Sequence, residues 1–108
     1  MLSGYRIMWV MVMFDLPTNT KGERAAASNF RNDLKDLGFE MVQYSVYIRF
    51  CGSQSKADTT ITAIQWIIPT PGLVSILLFT DKQYEGIRTF TAGQRTAQKT
   101  PPGQLEMF

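Results

Sequence analysis

Three observations predict an α+β domain of order βαββαβ. Two short runs, Ile7 to Phe14 and Leu73 to Thr80, carry apolar side chains at both odd and even positions. Two stretches with helical apolar spacing alternate with a Val-, Tyr- and Phe-rich segment at 39–50. Turn residues mark the junctions, at Pro17, Gly38, Cys51-Gly52-Ser53 and Pro69-Thr70-Pro71-Gly72.

The first strand is predicted over 6–14. Ile7, Trp9, Met11 and Met13 fall on one face, and Met8, Val10, Val12 and Phe14 on the other. A strand that is apolar on both faces is central and covered on both sides. Thr20-Lys21-Gly22-Glu23 has the form of a capping box, so a helix starts near Lys21 and runs to Leu37, with Gly38 as its stop. Its buried stripe is Ala26, Phe30, Leu34 and Leu37. Residues 39–50 are extended, as one bent strand or as a tight hairpin. Ser55-x-x-Asp58 resembles a second cap, and Ala57, Ile61, Ile64 and Ile68 give a second helix that is weak in propensity and must be held by packing. Leu73 to Thr80 is the second doubly apolar strand. Thr80-Asp81-Lys82-Gln83 caps a short helical turn, and Ile87 to Phe90 is a last extended piece expected at a sheet edge. The domain therefore spans 1–90, and the Thr-, Gln-, Lys- and Pro-rich 91–108 is a tail with an apolar tip, Leu105-Glu106-Met107-Phe108.

This order is the split βαβ, or ferredoxin-like, arrangement. Two helices can cover only one face of a four-stranded sheet. The second apolar face needs another cover, and for a chain of 108 residues the simplest is a second copy. A sheet-to-sheet homodimer is the expectation.

Composition restricts the chemistry. With no histidine there is no Ser–His–Asp triad, no Cys–His dyad and no imidazole metal site. A single cysteine excludes an internal disulfide and fits a reducing compartment. The eight apolar residues of Ile7 to Phe14 are too few to span a bilayer and lead into no cleavage site. A cytoplasmic protein without membrane contact is expected.

Asp15 closes the first strand where the apolar pattern breaks. It is either a turn-former or a functional ligand. In a dimer whose axis passes near this strand end, two Asp15 carboxylates approach each other, and such a pair shares a proton or binds a cation. All-oxygen ligation suits Mg²⁺ or Mn²⁺, one per dimer, and the ion could activate water against a phosphodiester. Asp81 is the other strand-end acid that could join it. On the first helix, Lys21, Arg24, Ser28, Arg31 and Lys35 fall within about 80° of the helix surface. The stripe is either an ordinary solvated face or a phosphate-tracking face that positions a duplex without reading its sequence. Cys51, Ser45, Trp9 and Trp66 read as packing residues.

Met11-Val12-Met13-Phe14-Asp15-Leu16-Pro17, the amphipathic helix, and Gly38-Phe39 followed by Gln43-Tyr44-Ser45-Val46-Tyr47 resemble the small CRISPR-associated Cas-two proteins. Leu16-Pro17 and Thr80-Asp81-Lys82-Gln83 with the aromatic after them resemble the type II branch. The likeness covers roughly residues 6–90. It implies a ferredoxin-like homodimer that bridges two dimers of the Cas-one integrase during CRISPR adaptation and holds the captured double-stranded DNA. It also implies a metal-dependent endonuclease on RNA or DNA, with Asp15 holding the metal at the dimer interface. The scaffold role ranks first. By analogy, the tail adds an edge strand or docks on the integrase. The competing reading is a toxin-like endoribonuclease or a non-catalytic regulatory module on the same fold.

Overall fold

The computed structural model describes residues 6–92. Strand β1 (Met8–Asp15) is followed by helix α1 (Lys21–Asp36), strands β2 (Glu40–Gln43) and β3 (Val46–Phe50), helix α2 (Gln54–Gln65), strand β4 (Leu73–Thr80) and a short helix α3 (Asp81–Glu85). The four strands form one antiparallel sheet in the order β2-β3-β1-β4. Each βαβ crossover therefore leaves a gap that the other fills, which is the predicted split βαβ fold. No helix among the described residues is long and apolar enough to cross a membrane.

Residues at strict alternation build the core. On β1, Met8, Val10, Val12 and Phe14 are buried under the helices. Phe30 and Leu34 of α1, and Ala57 and Ile64 of α2, close over them. The residues of opposite parity, Trp9, Met11 and Met13, look out from the other face, beside Ile48 and Phe50 of β3 and Leu77 and Phe79 of β4.

The helix ends follow local chemistry. Thr20 and Glu23 form both halves of the capping box at the start of α1. At its end Gly38 takes φ +91°, Gly38 N–H donates to Lys35 O, and Phe39 N–H donates to Leu34 O. That is a Schellman stop, with Phe39 then buried. A Cβ on Gly38 would also sit 3.2 Å from Arg49 Nε. Phe30 and Leu34 of the expected α1 stripe are buried, but at its start Ala27 is buried and Ala26 only half-buried, and Leu37 at its end is half-buried. The cap of α2 is Ser53, whose hydroxyl accepts from Lys56 N–H, and not Ser55. Gly52, at φ +84°, has already turned the chain, so the helix begins two residues earlier. It ends at Gln65, so Ile68 packs from the following loop. Thr60 sits buried on α2, where it accepts from Arg49 Nη1 at 2.8 Å and donates to Lys56 O.

Residues 39–50 form a hairpin with Tyr44 and Ser45 as its two-residue link. The expected edge strand at Ile87–Phe90 is not part of the sheet. A second capping box, Thr80 with Gln83, folds the chain into α3 directly at the end of β4. Tyr84 then stacks on Trp9 with ring centres 3.9 Å apart, and the indole Nε1–H donates to Asp81 Oδ1 at 2.7 Å. These contacts carry the segment across the open sheet face instead of along the β4 edge. Most of the tail, 93–108 with its apolar tip, lies outside the described residues, as do residues 1–5.

Leu34→Ala should lower unfolding free energy by about 3 kcal/mol, because it empties a fully buried site under α1. Trp66→Ala, at a side chain that is 85% exposed, should change it by no more than about 0.5 kcal/mol. Urea titration followed by circular dichroism at fixed chain concentration measures both.

Candidate functional site

Asp15 is the last residue of β1, exposed, and paired in register with Leu73 at the start of β4. By alternation it belongs to the open apolar face, in line with Met13 and Met11. Its carboxylate has no hydrogen-bond or ion-pair partner among the described residues. Asp81 does not join it. The antiparallel register that sets Asp15 beside Leu73 sets Met8 beside Thr80, so Asp81 follows the far end of β1. Seven residues of strand separate the two ends, roughly 23 Å. Asp81 is engaged there by Trp9 and donates its own N–H to Ile7 O. No group of three or more His, Cys, Asp or Glu side chains is placed to hold a metal among the described residues. Among the described residues, one chain thus offers a single acidic side chain at this strand end.

The open face is apolar along the whole strand. Leu73 beside Asp15 is 66% exposed, Leu77 at mid-strand 47%, and Phe50 beside Trp9 at the far end 54%. Between the sheet and the segment after β4 lies a hollow of about 570 Å³, lined by Met11, Met13, Val46, Ile48, Tyr84 and Ile87 among others. Trp9 is half-buried against Phe50, Phe79 and Tyr84, so its packing role holds. Trp66 instead projects into solvent from the C-cap of α2.

The basic stripe of α1 divides in two. Lys21, Arg24 and Lys35 are exposed. Arg24 Nη1 donates to the carbonyls of Thr18 and Asn19, which holds the guanidinium at the helix entrance. Arg31 turns inward. Its Cζ lies 5.0 Å from the Phe14 ring centre and 4.3 Å from that of Tyr44. Nη2 donates to Ser45 Oγ at 3.1 Å, while Nη1 is buried with no hydrogen-bond partner. The two aromatic faces supply electrostatic compensation to this half-buried guanidinium. Ser45 itself takes φ +65°, and its carbonyl accepts from Phe14 N–H at 3.1 Å. Arg31 therefore clamps the β2–β3 turn onto the backbone next to Asp15.

A helical wheel places Arg31 on the basic face but cannot show which neighbour waits above it. Sequence reasoning also missed Tyr44, which is 77% exposed beside this stripe. The signal available was its place in a two-residue link, where a large aromatic has no core to enter. Cys51 is half-buried, with Sγ 3.8 Å from Arg49 O and Thr60 Oγ1, consistent with packing.

The family model for CRISPR associated protein Cas2 matches residues 8–87, which include the strand-end acid, α1 and the capped α3. The chain belongs to the CRISPR-associated Cas2 family. It is 50% identical over 108 residues, covering all of both chains, to the CRISPR-associated endoribonuclease Cas2 of Paracidovorax avenae. It is 41% identical over 107 residues to the protein of that name from Flavobacterium psychrophilum, covering 99% of this chain and 93% of the relative. The crystal structure of Streptococcus pyogenes Cas2 at pH 6.5 superposes with a TM-score of 0.58 at 18% identity, over 77% of this chain and 99% of that one. The structural likeness supports the ferredoxin-like fold, and the sequence likeness supports the family.

Arg31→Glu should destabilise the fold by at least about 2 kcal/mol, since it removes the clamp and puts a carboxylate against two ring faces. Lys35→Glu on the same stripe should stay within about 0.5 kcal/mol. Chemical denaturation of the two variants side by side tests the difference.

Proposed function

We propose that the chain is a subunit of CRISPR adaptation, a homodimer that bridges two Cas-one integrase dimers and holds a captured double-stranded DNA. The uncovered apolar face of the sheet carries this reading. A face that leaves Phe50, Leu73 and Leu77 exposed and Met11 and Met13 half-buried is covered most simply by the same face of a second copy, packed sheet to sheet. Two copies then present two α1 helices on one rigid particle. Lys21, Arg24 and Lys35 of each point to solvent, where they can track phosphates without reading bases. Membership in the Cas2 family favours a CRISPR role over a stand-alone toxin-like ribonuclease or a small regulatory module. The cytoplasm, where the integrase and the DNA are, is the compartment this reading requires.

A second reading, a metal-dependent endonuclease, is favoured by the name endoribonuclease that the relatives carry and by the unpartnered carboxylate of Asp15. A hard, exposed oxygen ligand fits Mg²⁺ or Mn²⁺, ions that keep several waters and need few protein ligands. One ion per dimer would be held by Asp15 of both copies. When bound, such an ion polarises a phosphodiester oxygen and lowers the pKa of a coordinated water. The chain's own contribution is the pair of carboxylates that hold it and the α1 cations that orient the phosphate backbone.

Replacing Lys21, Arg24 and Lys35 together by Glu should abolish spacer acquisition and weaken duplex binding by two orders of magnitude or more. The slope of log affinity against log salt should fall by about 0.9 for each phosphate that the variant no longer neutralises. Unchanged acquisition in that variant, with its circular dichroism intact, would contradict the scaffold reading. Asp15→Asn should remove Mg²⁺-dependent RNA cleavage and leave duplex binding as it is. Cleavage that survives the change would assign the hydrolysis to another site.

A further inference from the structure

Tyr44 is held in place and left open at the same time. Arg31 lies 4.3 Å from its ring centre and covers one face. The side chain is nevertheless 77% exposed, so the opposite face meets solvent. The guanidinium beneath it cannot wander. Ser45 Oγ accepts from Nη2, the Phe14 ring lies against Cζ, and Nη1 is buried without a hydrogen-bond partner of its own. An exposed tyrosine in a turn ordinarily samples several rotamers, whereas this one rests on a fixed cation. Ser28 and Lys35, three residues before and four after Arg31, flank it on α1, and both are exposed. The result is a preoriented aromatic plane set in a basic surface.

We propose that Tyr44 is a stacking platform for an unpaired nucleobase, so that the α1 face takes nucleic acid with a splayed or single-stranded nucleotide in preference to a uniformly paired duplex. This rests on the nucleic-acid reading above and specifies its ligand. Bases inside a duplex show the protein their edges, because their faces are occupied by neighbours in the stack. A free base offers a face, which matches a solvent-facing ring, and stacking of this kind tolerates any base identity. The phosphate on the α1 side of a stacked base falls to Lys35, and the following backbone runs along the stripe toward Arg24 and Lys21. Arg31 takes no phosphate itself. It is a positioning residue that fixes the plane of the ring.

Fluorescence anisotropy on the full chain tests this with three labelled probes: a blunt DNA duplex, the same duplex with a short unpaired thymidine end, and oligothymidine. The wild-type protein should bind the two probes with unpaired bases more tightly than the blunt duplex. Tyr44→Ala should erase that preference by weakening those probes about tenfold or more, with blunt-duplex binding unchanged. Tyr44→Phe, which keeps the ring, should retain the preference. Equal loss on all three probes, a preference that survives Tyr44→Ala, or a wild-type protein that binds blunt duplex with no preference would each overturn the stacking role alone. A wild-type protein that binds none of the probes would overturn the nucleic-acid reading together with it.

Discussion

The fold depends on one strand being apolar on both of its faces. β1 is central, antiparallel to both neighbours, with Val10 and Val12 fully buried beneath α1 and α2. Everything on the helix side follows from closing over those residues. The opposite parity of the same strand carries Trp9, Met11 and Met13, and no helix is left to cover them. Among the described residues, α3 and the segment after it reach that side, α3 held by the Trp9–Tyr84 stack and the Trp9–Asp81 hydrogen bond. Apolar surface left in water costs about 25 cal/mol for each Å². The uncovered part of the sheet is therefore a standing reason to associate, and Asp15, at the end of the same strand, lies at its margin.

Cations on one helix face are not equivalent. Lys21, Arg24 and Lys35 remain on the surface, but Arg31 is used inside the molecule. It joins three elements: α1, which carries it, the β2–β3 link through Ser45 and Tyr44, and β1 through the Phe14 ring. The hydrogen bond from Phe14 N–H to Ser45 O completes the loop of contacts one residue before Asp15. The basic face and the strand-end acid, which lie on opposite sides of the sheet, are thus mechanically linked through one side chain. Arg suits this position because its planar guanidinium stacks on rings while its edge donates, which a lysine cannot do.

Much of the architecture was legible because local and tertiary signals agreed. The doubly apolar runs became β1 and β4, and both Thr-led capping boxes start helices. Gly38 stops α1 because its φ of +91° and its closeness to Arg49 both disfavour a side chain. What remained hidden was decided by partners far apart in sequence. Ser53 and Ser55 are both plausible caps, and only the turn at Gly52 selects the first. Ile87–Phe90 has the composition of a strand, yet α3 steers it over the open face. Asp81 and Asp15 both end strands, but antiparallel pairing sends them to opposite ends of β1. For Arg31 and Tyr44, periodicity gave the face and could not give the neighbour.

The central claim, that the open sheet face is covered by a second copy, is tested most directly by sedimentation equilibrium of the wild-type chain and Leu77→Lys. Leu77 lies on that face, beside Met11, and is 47% exposed, so a lysine there is tolerated by the single chain. The wild type should be a dimer at micromolar concentration, and Leu77→Lys a folded monomer. A monomeric wild type, or a Leu77→Lys variant that remains a dimer, would contradict the claim.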